Sequence, residues 1–176
     1  MTTPADAVAV ATSIPGTTVV ETLERVGATH VVTVPDTNQA TVLERLDASS
    51  EISVLRAASE DDALGICAGL WVAGQRPIAL IQQLGIFASV TALRGLTYDL
   101  RIPLAILASL YGRDVSLPPD QSIKSSVRLC IPVLEALEIR WVLVESLADS
   151  ELIAEMFNWV FDERRAGVVL LGAPTS

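Results

Sequence analysis

The sequence has 176 residues but a single histidine, His30, and only two cysteines, Cys67 and Cys130. One histidine argues against a histidine-rich metal site or a His-based catalytic triad within this chain. The two cysteines lack metal-ligand spacing, and the default setting for so few is a reducing, cytoplasmic one. Aromatic residues are only 5%, so the core is aliphatic. Basic residues are also scarce: 12 Lys and Arg face 21 Asp and Glu, for a net charge of −9. That balance argues against nucleic acids and anionic membrane surfaces as partners. No apolar run reaches the length of a membrane span; the longest, around 103–110 and 167–171, have strand length. Residues 1–16 carry neither a basic leader nor a clear apolar stretch, so they read as a flexible tail and not as a signal peptide. Residues 17–176 read as one domain.

Missing motifs narrow the field further. No GxGxxG follows the first predicted strand, and no GxxxxGK[ST] or GxSxG occurs. A dinucleotide fold, a phosphate-loop NTPase and an α/β-hydrolase are each disfavoured.

What is present is hydrophobicity. Apolar residues make up 51% of the chain and the mean hydropathy is +0.47, which points to buried parallel strands and a large subunit interface. Strands are expected at 30–34, 52–56, 77–82, 103–109, 140–144 and 168–171. Helices are expected at 19–26, 38–46, 60–73, 88–99, 127–137 and 148–164. Residues 83–87, with Gly85, read as a loop, and 111–124 form the longest irregular stretch. Six strands alternating with helices imply an α/β fold, a doubly wound six-stranded parallel sheet with helices on both faces. Such sheets bind ligands at the carboxyl ends of their strands.

Four polar clusters fall on that rim: Asp36, Thr37 and Asn38; Ser59 and Glu60; Gln82, Gln83 and Gly85; and Tyr111 with Arg113. Any α/β rim is polar, so one cluster alone does not define a site. The helix from Glu60 is less ordinary. Ser59 is a good N-cap, with Asp62 placed to answer it, and acids suit the first turn. Gly65 and Gly69 each cost about 1 kcal/mol against Ala inside a helix, which implies a close approach by another backbone or a ligand.

The pattern Glu60-x-x-Ala63-x-x-x-Cys67-x-Gly69, followed by Ala73-Gly74 and a strand ending Gln82-Gln83-Leu84-Gly85, resembles the pyrimidine-binding (PYR) domain of thiamine-diphosphate enzymes. Val34-Pro35-Asp36-Thr37 fits that family's first-strand loop, and residues 101–107 fit the strand before its next active-site loop. Within the family the chain is similar to the alpha subunits of sulfopyruvate decarboxylase and the matching half of phosphonopyruvate decarboxylase. The resemblance implies thiamine diphosphate as cofactor and decarboxylation of a small 2-oxo acid. It assigns Glu60 to the aminopyrimidine ring, Asp36 to a catalytic or positioning role, and Gln82, Gln83 and Gly85 to the cofactor. Thr37, Asn38, Tyr111 and Arg113 become substrate candidates. The family's diphosphate-binding domain carries Gly-Asp-Gly followed by Asn, and no Gly-Asp-Gly occurs here. A beta subunit is therefore expected to hold Mg2+ and the diphosphate, in an α2β2 or larger assembly, with no metal ligand from this chain.

Two departures stand out. The family usually has Ser-Gly-x-Gly-Asn in the third rim loop, where this chain has Leu84-Gly85-Ile86-Phe87-Ala88. After the fourth strand it often has His or Arg, where this chain has Leu110-Tyr111. They leave open a less polar 2-oxo acid, and a non-catalytic or regulatory subunit that keeps the fold.

Overall fold

The computed structural model describes residues 13–176. Six strands, β1 (His30–Thr33), β2 (Ser53–Arg56), β3 (Pro77–Gln82), β4 (Leu104–Ser109), β5 (Arg140–Val144) and β6 (Ala166–Leu171), form one sheet in the order β2-β1-β3-β4-β6-β5. All neighbouring pairs are parallel. β4 and β6 are buried at every residue, whereas the edge strand β2 is mostly exposed. Continuous aliphatic runs such as Leu104-Ala105-Ile106-Leu107-Ala108 are what a strand covered on both faces requires.

Among the described residues eight α-helices cover the sheet: α1 (Gly16–Arg25), α2 (Ala40–Ala48), α3 (Glu60–Val72), α4 (Gln83–Ala88), α5 (Val90–Arg94), α6 (Ser125–Arg128), α7 (Cys130–Ala136) and α8 (Glu151–Glu163). Alternation along the strands splits the core in two. Val31, Ile78, Leu80, Leu107 and Val169 meet α1, α2 and α8 on one face. Val32, Ala79, Ile81, Ile106 and Val168 meet α3, α5 and α7 on the other. Trp71 at the end of α3 stacks on Phe161 of α8 at 5.8 Å, so it anchors the core beyond the sheet's end.

The structure corrects the expected elements in three places. Residues 1–12 of the expected tail lie outside the described residues, but 13–16 are fixed: Ile14 is fully buried and its amide donates to the Pro174 carbonyl at 3.1 Å. The stretch 83–87 is helical, because Gly85 is buried inside α4 and does not break it. The helix expected at 88–99 is divided, ending in a π-helical turn at Gly95–Asp99. The cap of α3 is also simpler than expected. Ser59 Oγ accepts from the Asp62 amide at 3.2 Å, with no reciprocal bond. The reciprocal capping box lies at Ser146 and Asp149 instead.

Candidate active site

The chain runs from β1 outward to β2 and then returns to β3 on the other side of β1, so the switch point lies between the carboxyl ends of β1 and β3. Asp36 sits there, 8% exposed. Gln82, ending β3, donates from Nε2 to Asp36 Oδ1 at 2.9 Å. Ser109, ending β4, donates its hydroxyl to Asp36 Oδ2. Two donors from adjacent strands thus hold one buried carboxylate in a single orientation. Beside them the fully buried Gln39 donates to the Ile81 carbonyl at 3.2 Å, while its Oε1 has no hydrogen-bond partner. Asp36 and Gln82, both expected at the site from the sequence, are brought together here; Ser109 and Gln39 were not expected. A serine closing an aliphatic strand, and a glutamine one residue beyond the Asp36-Thr37-Asn38 cluster, were the only signals.

Glu60 opens α3, half-buried. Its side chain passes over Gly85 so closely that a Cβ built on Gly85 would lie 2.2 Å from Glu60 Cγ. Gly85 therefore makes room for Glu60, and the helix α4 that carries it brings β3's exit loop against the start of α3. Among the described residues, the Glu60 carboxylate has neither a hydrogen bond nor an ion pair. A carboxylate with a fixed stem and a free head can accept a hydrogen bond from an incoming ring nitrogen.

The other candidates separate. Gln83 is fully buried, and its amide holds the Tyr111 main chain from both ends, donating to its carbonyl and accepting from its amide at 2.9 Å each. Its polar atoms are spent inside the fold, so the expected cofactor contact has no free group to make it. Thr37 is exposed on the rim, and Asn38 uses its carbonyl to accept from Thr175. Tyr111 is 52% exposed. Arg113 is also a correction. Its side chain is 3% exposed, 2.8 Å from Glu145 Oε1, and donates to the Asp114 and Leu117 carbonyls. Its charge is neutralised, so it tethers the 111–124 loop and offers nothing to an anionic substrate.

Among the described residues, nothing lies within 4 Å of the Cβ positions added at Gly65 and Gly69. The close approach implied by their helix cost is not made internally. Ile66, Val72, Leu84 and Leu55 are exposed on α3, α4 and β2. Among the described residues, no helix is long and apolar enough to cross a membrane. Nor do three His, Cys, Asp or Glu residues converge as a metal site there.

Burial pushes the thiols of Cys67 and Cys130 up to about 12. Only the thiolate is nucleophilic. At pH 8 both are expected to react with a disulfide reagent at least about 100-fold more slowly in the native protein than in the unfolded one. Rapid native labelling, followed spectroscopically, would contradict that burial.

Residues 7–120 match the family described as thiamine pyrophosphate enzyme, N-terminal TPP binding domain. A sulfopyruvate decarboxylase of Methanosarcina acetivorans is 33% identical over 94 residues, which are 53% of this chain and 24% of that protein. The sulfopyruvate decarboxylase subunit alpha of Methanococcus maripaludis is 30% identical over 49% of this chain and 52% of its own. That of Methanothermobacter thermautotrophicus is 30% identical over 82% of this chain and 87% of its own. The chain thus spans about a quarter to a half of the first two relatives and most of the third. In three dimensions the fold is similar to a 2-oxoglutarate:ferredoxin oxidoreductase of Magnetococcus marinus. The TM-score is 0.70 at 16% identity, covering 92% of this chain and 31% of the other.

Proposed function

The chain belongs to the thiamine pyrophosphate enzyme family, by its N-terminal TPP-binding domain, and on that premise we propose that it is the alpha subunit of a heteromeric thiamine-diphosphate-dependent 2-oxo acid decarboxylase. The observation that carries this reading is Glu60: an unpartnered carboxylate at the start of α3, its stem seated over Gly85, beside the switch point of the sheet. This donor set fits the pyrimidine half of the cofactor, which needs a carboxylate facing a ring nitrogen. It does not fit the diphosphate, because the nearby Arg113 is neutralised. Bound thiamine diphosphate supplies an electron sink for the carbon left when a 2-oxo acid loses carbon dioxide.

In this reading Glu60 holds the cofactor's ring by a hydrogen bond and sets its tautomer. Asp36, fixed by Gln82 and Ser109, accepts a hydrogen bond from substrate or holds a proton within reach of it. Leu84 and the exposed apolar face of α3 exclude water once covered. The cover is a beta subunit carrying Gly-Asp-Gly and Asn, which would bind Mg2+ and the diphosphate. Gly65 and Gly69 admit that subunit's backbone closely. The use of "subunit alpha" for relatives supports a partner of this kind.

Arg113 bears on the substrate. With its charge paired internally, it leaves Lys124, exposed in the same loop against Gly112 and without an ion pair among the described residues, as the cation this chain could offer a sulfonate or phosphonate. Carbon dioxide release from pyruvate and from sulfopyruvate, by this chain with its beta subunit, tests the function. Release by the pair and by neither alone is expected; no release by the pair from any 2-oxo acid would favour a non-catalytic subunit.

A further inference from the structure

A second feature lies at the opposite end of the sheet from Glu60 and Asp36. A cavity of about 670 Å³ is lined by Thr97, Arg101, Glu138, Trp159, Arg164 and Arg165, among others. It opens below the amino ends of β4, β5 and β6. The length of β4, six residues at about 3.3 Å each, puts it about 20 Å from the rim.

Several independent observations converge on it. The non-glycine residues with left-handed backbone in the described structure are Arg101 (φ 54°), Glu138 (φ 52°) and Arg164 (φ 53°), and all three line this cavity. Each closes the turn into one of the strands β4, β5 and β6. The equivalent turns into β1 and β3 use Gly27 and Gly74, which adopt that backbone without steric penalty. The chain thus uses glycine where the turn is only a turn, and side chains where the turn faces the cavity. Strained backbone of this sort gathers at binding sites.

Charge is the second observation. In a chain of net charge −9, Arg101, Arg164 and Arg165 share one cavity, and Arg140 lies beside it, 4.7 Å over the Trp159 ring. Among the described residues none of these four arginines forms an ion pair, although Glu138 and Glu163 line the same cavity. The dipole of α8 accounts for a basic residue at its end, but not for Arg101 or for three arginines facing one volume. The third observation is Thr97, whose hydroxyl is buried without a hydrogen-bond partner. It lies in the π-helical turn at Gly95–Asp99, a distortion often found at functional sites.

We propose that this cavity is a second ligand site, separate from the rim, that binds a small multiply charged phosphate. Guanidinium groups match phosphate oxygens in pairs. Isothermal titration of the full chain, in its purified assembly and with saturating thiamine diphosphate present, uses inorganic pyrophosphate as the probe. One saturable site per chain is expected. In the double variant Arg101→Gly/Arg164→Gly the affinity falls at least tenfold, while Tm is unchanged or higher because glycine relaxes both turns. Absence of saturable binding to the wild type, or equal binding by wild type and variant, would overturn the proposal.

Discussion

Replacing Glu60 by Gln in the assembled enzyme lowers decarboxylation by about 100- to 10,000-fold, the range spanned when a positioned acid–base group is lost, and leaves assembly and Tm unchanged. The structural side of this expectation rests on what Glu60 does not do. Its carboxylate has no hydrogen bond or ion pair among the described residues, so the amide removes no contact that holds the fold. Gln keeps the stem over Gly85, and Ser59 still caps α3. What changes is the head group: a neutral amide cannot stabilise the ring protonation that a carboxylate does. Rates measured on the purified complex, beside its sedimentation and melting curves, separate the two effects. Full activity in this variant would remove Glu60 from the chemistry.

Gly85→Ala has an effect of comparable size by a different route. The added methyl would lie 2.2 Å from Glu60 Cγ and 2.9 Å from its Cβ and Cδ, closer than atoms can pack. Gly85 is buried within α4, which is seated against α3 and β3, so the backbone cannot withdraw freely. The Glu60 side chain must leave its position. Overpacking of this kind costs about 1–3 kcal/mol, and activity falls by at least about 100-fold because the carboxylate no longer points where Glu60 holds it. The two residues are therefore coupled. In a Glu60→Ala background the Cγ and Cδ contacts are gone, and the stability cost of Gly85→Ala shrinks by more than half. A double-mutant cycle by urea unfolding measures this directly. Simple additivity would mean that Gly85 is constrained by something other than Glu60.

The sheet was legible because its signal is long-range in composition but local in pattern. Aliphatic runs such as 104–108 and 168–171 have strand length, and only a two-sided parallel sheet buries them. Glu60 was singled out by the resemblance of its motif to the PYR domain, since an acidic first turn by itself only suits the helix dipole; the glycines behind it carried the unexplained cost. The failures have physical causes. Gly85 looked like a loop glycine, since local propensity places glycine outside helices; its reason is a contact with Glu60, 25 positions earlier in the chain. Arg113 looked like a free cation because its partner Glu145 lies beyond two intervening α-helices in sequence and at a strand end two strands away in the sheet. Gln83 looked like a rim amide, but the return of the chain at Tyr111 captures it. Ser109 carried no pattern, since its partner Asp36 belongs to a strand end two strands away. In each case the missing information is a tertiary contact, which composition and periodicity do not encode.

In the proposed function this chain supplies the pyrimidine-side carboxylate of a cofactor site completed by another subunit. Calorimetric titration of thiamine diphosphate, with Mg2+, into this chain, its beta subunit, and the two mixed tests it most directly. The expected result is saturable binding by the mixture, at one cofactor per pair of chains, weakened by Glu60→Gln and absent from this chain alone. Tight binding by this chain alone, or a mixture whose affinity is indifferent to Glu60→Gln, would contradict it.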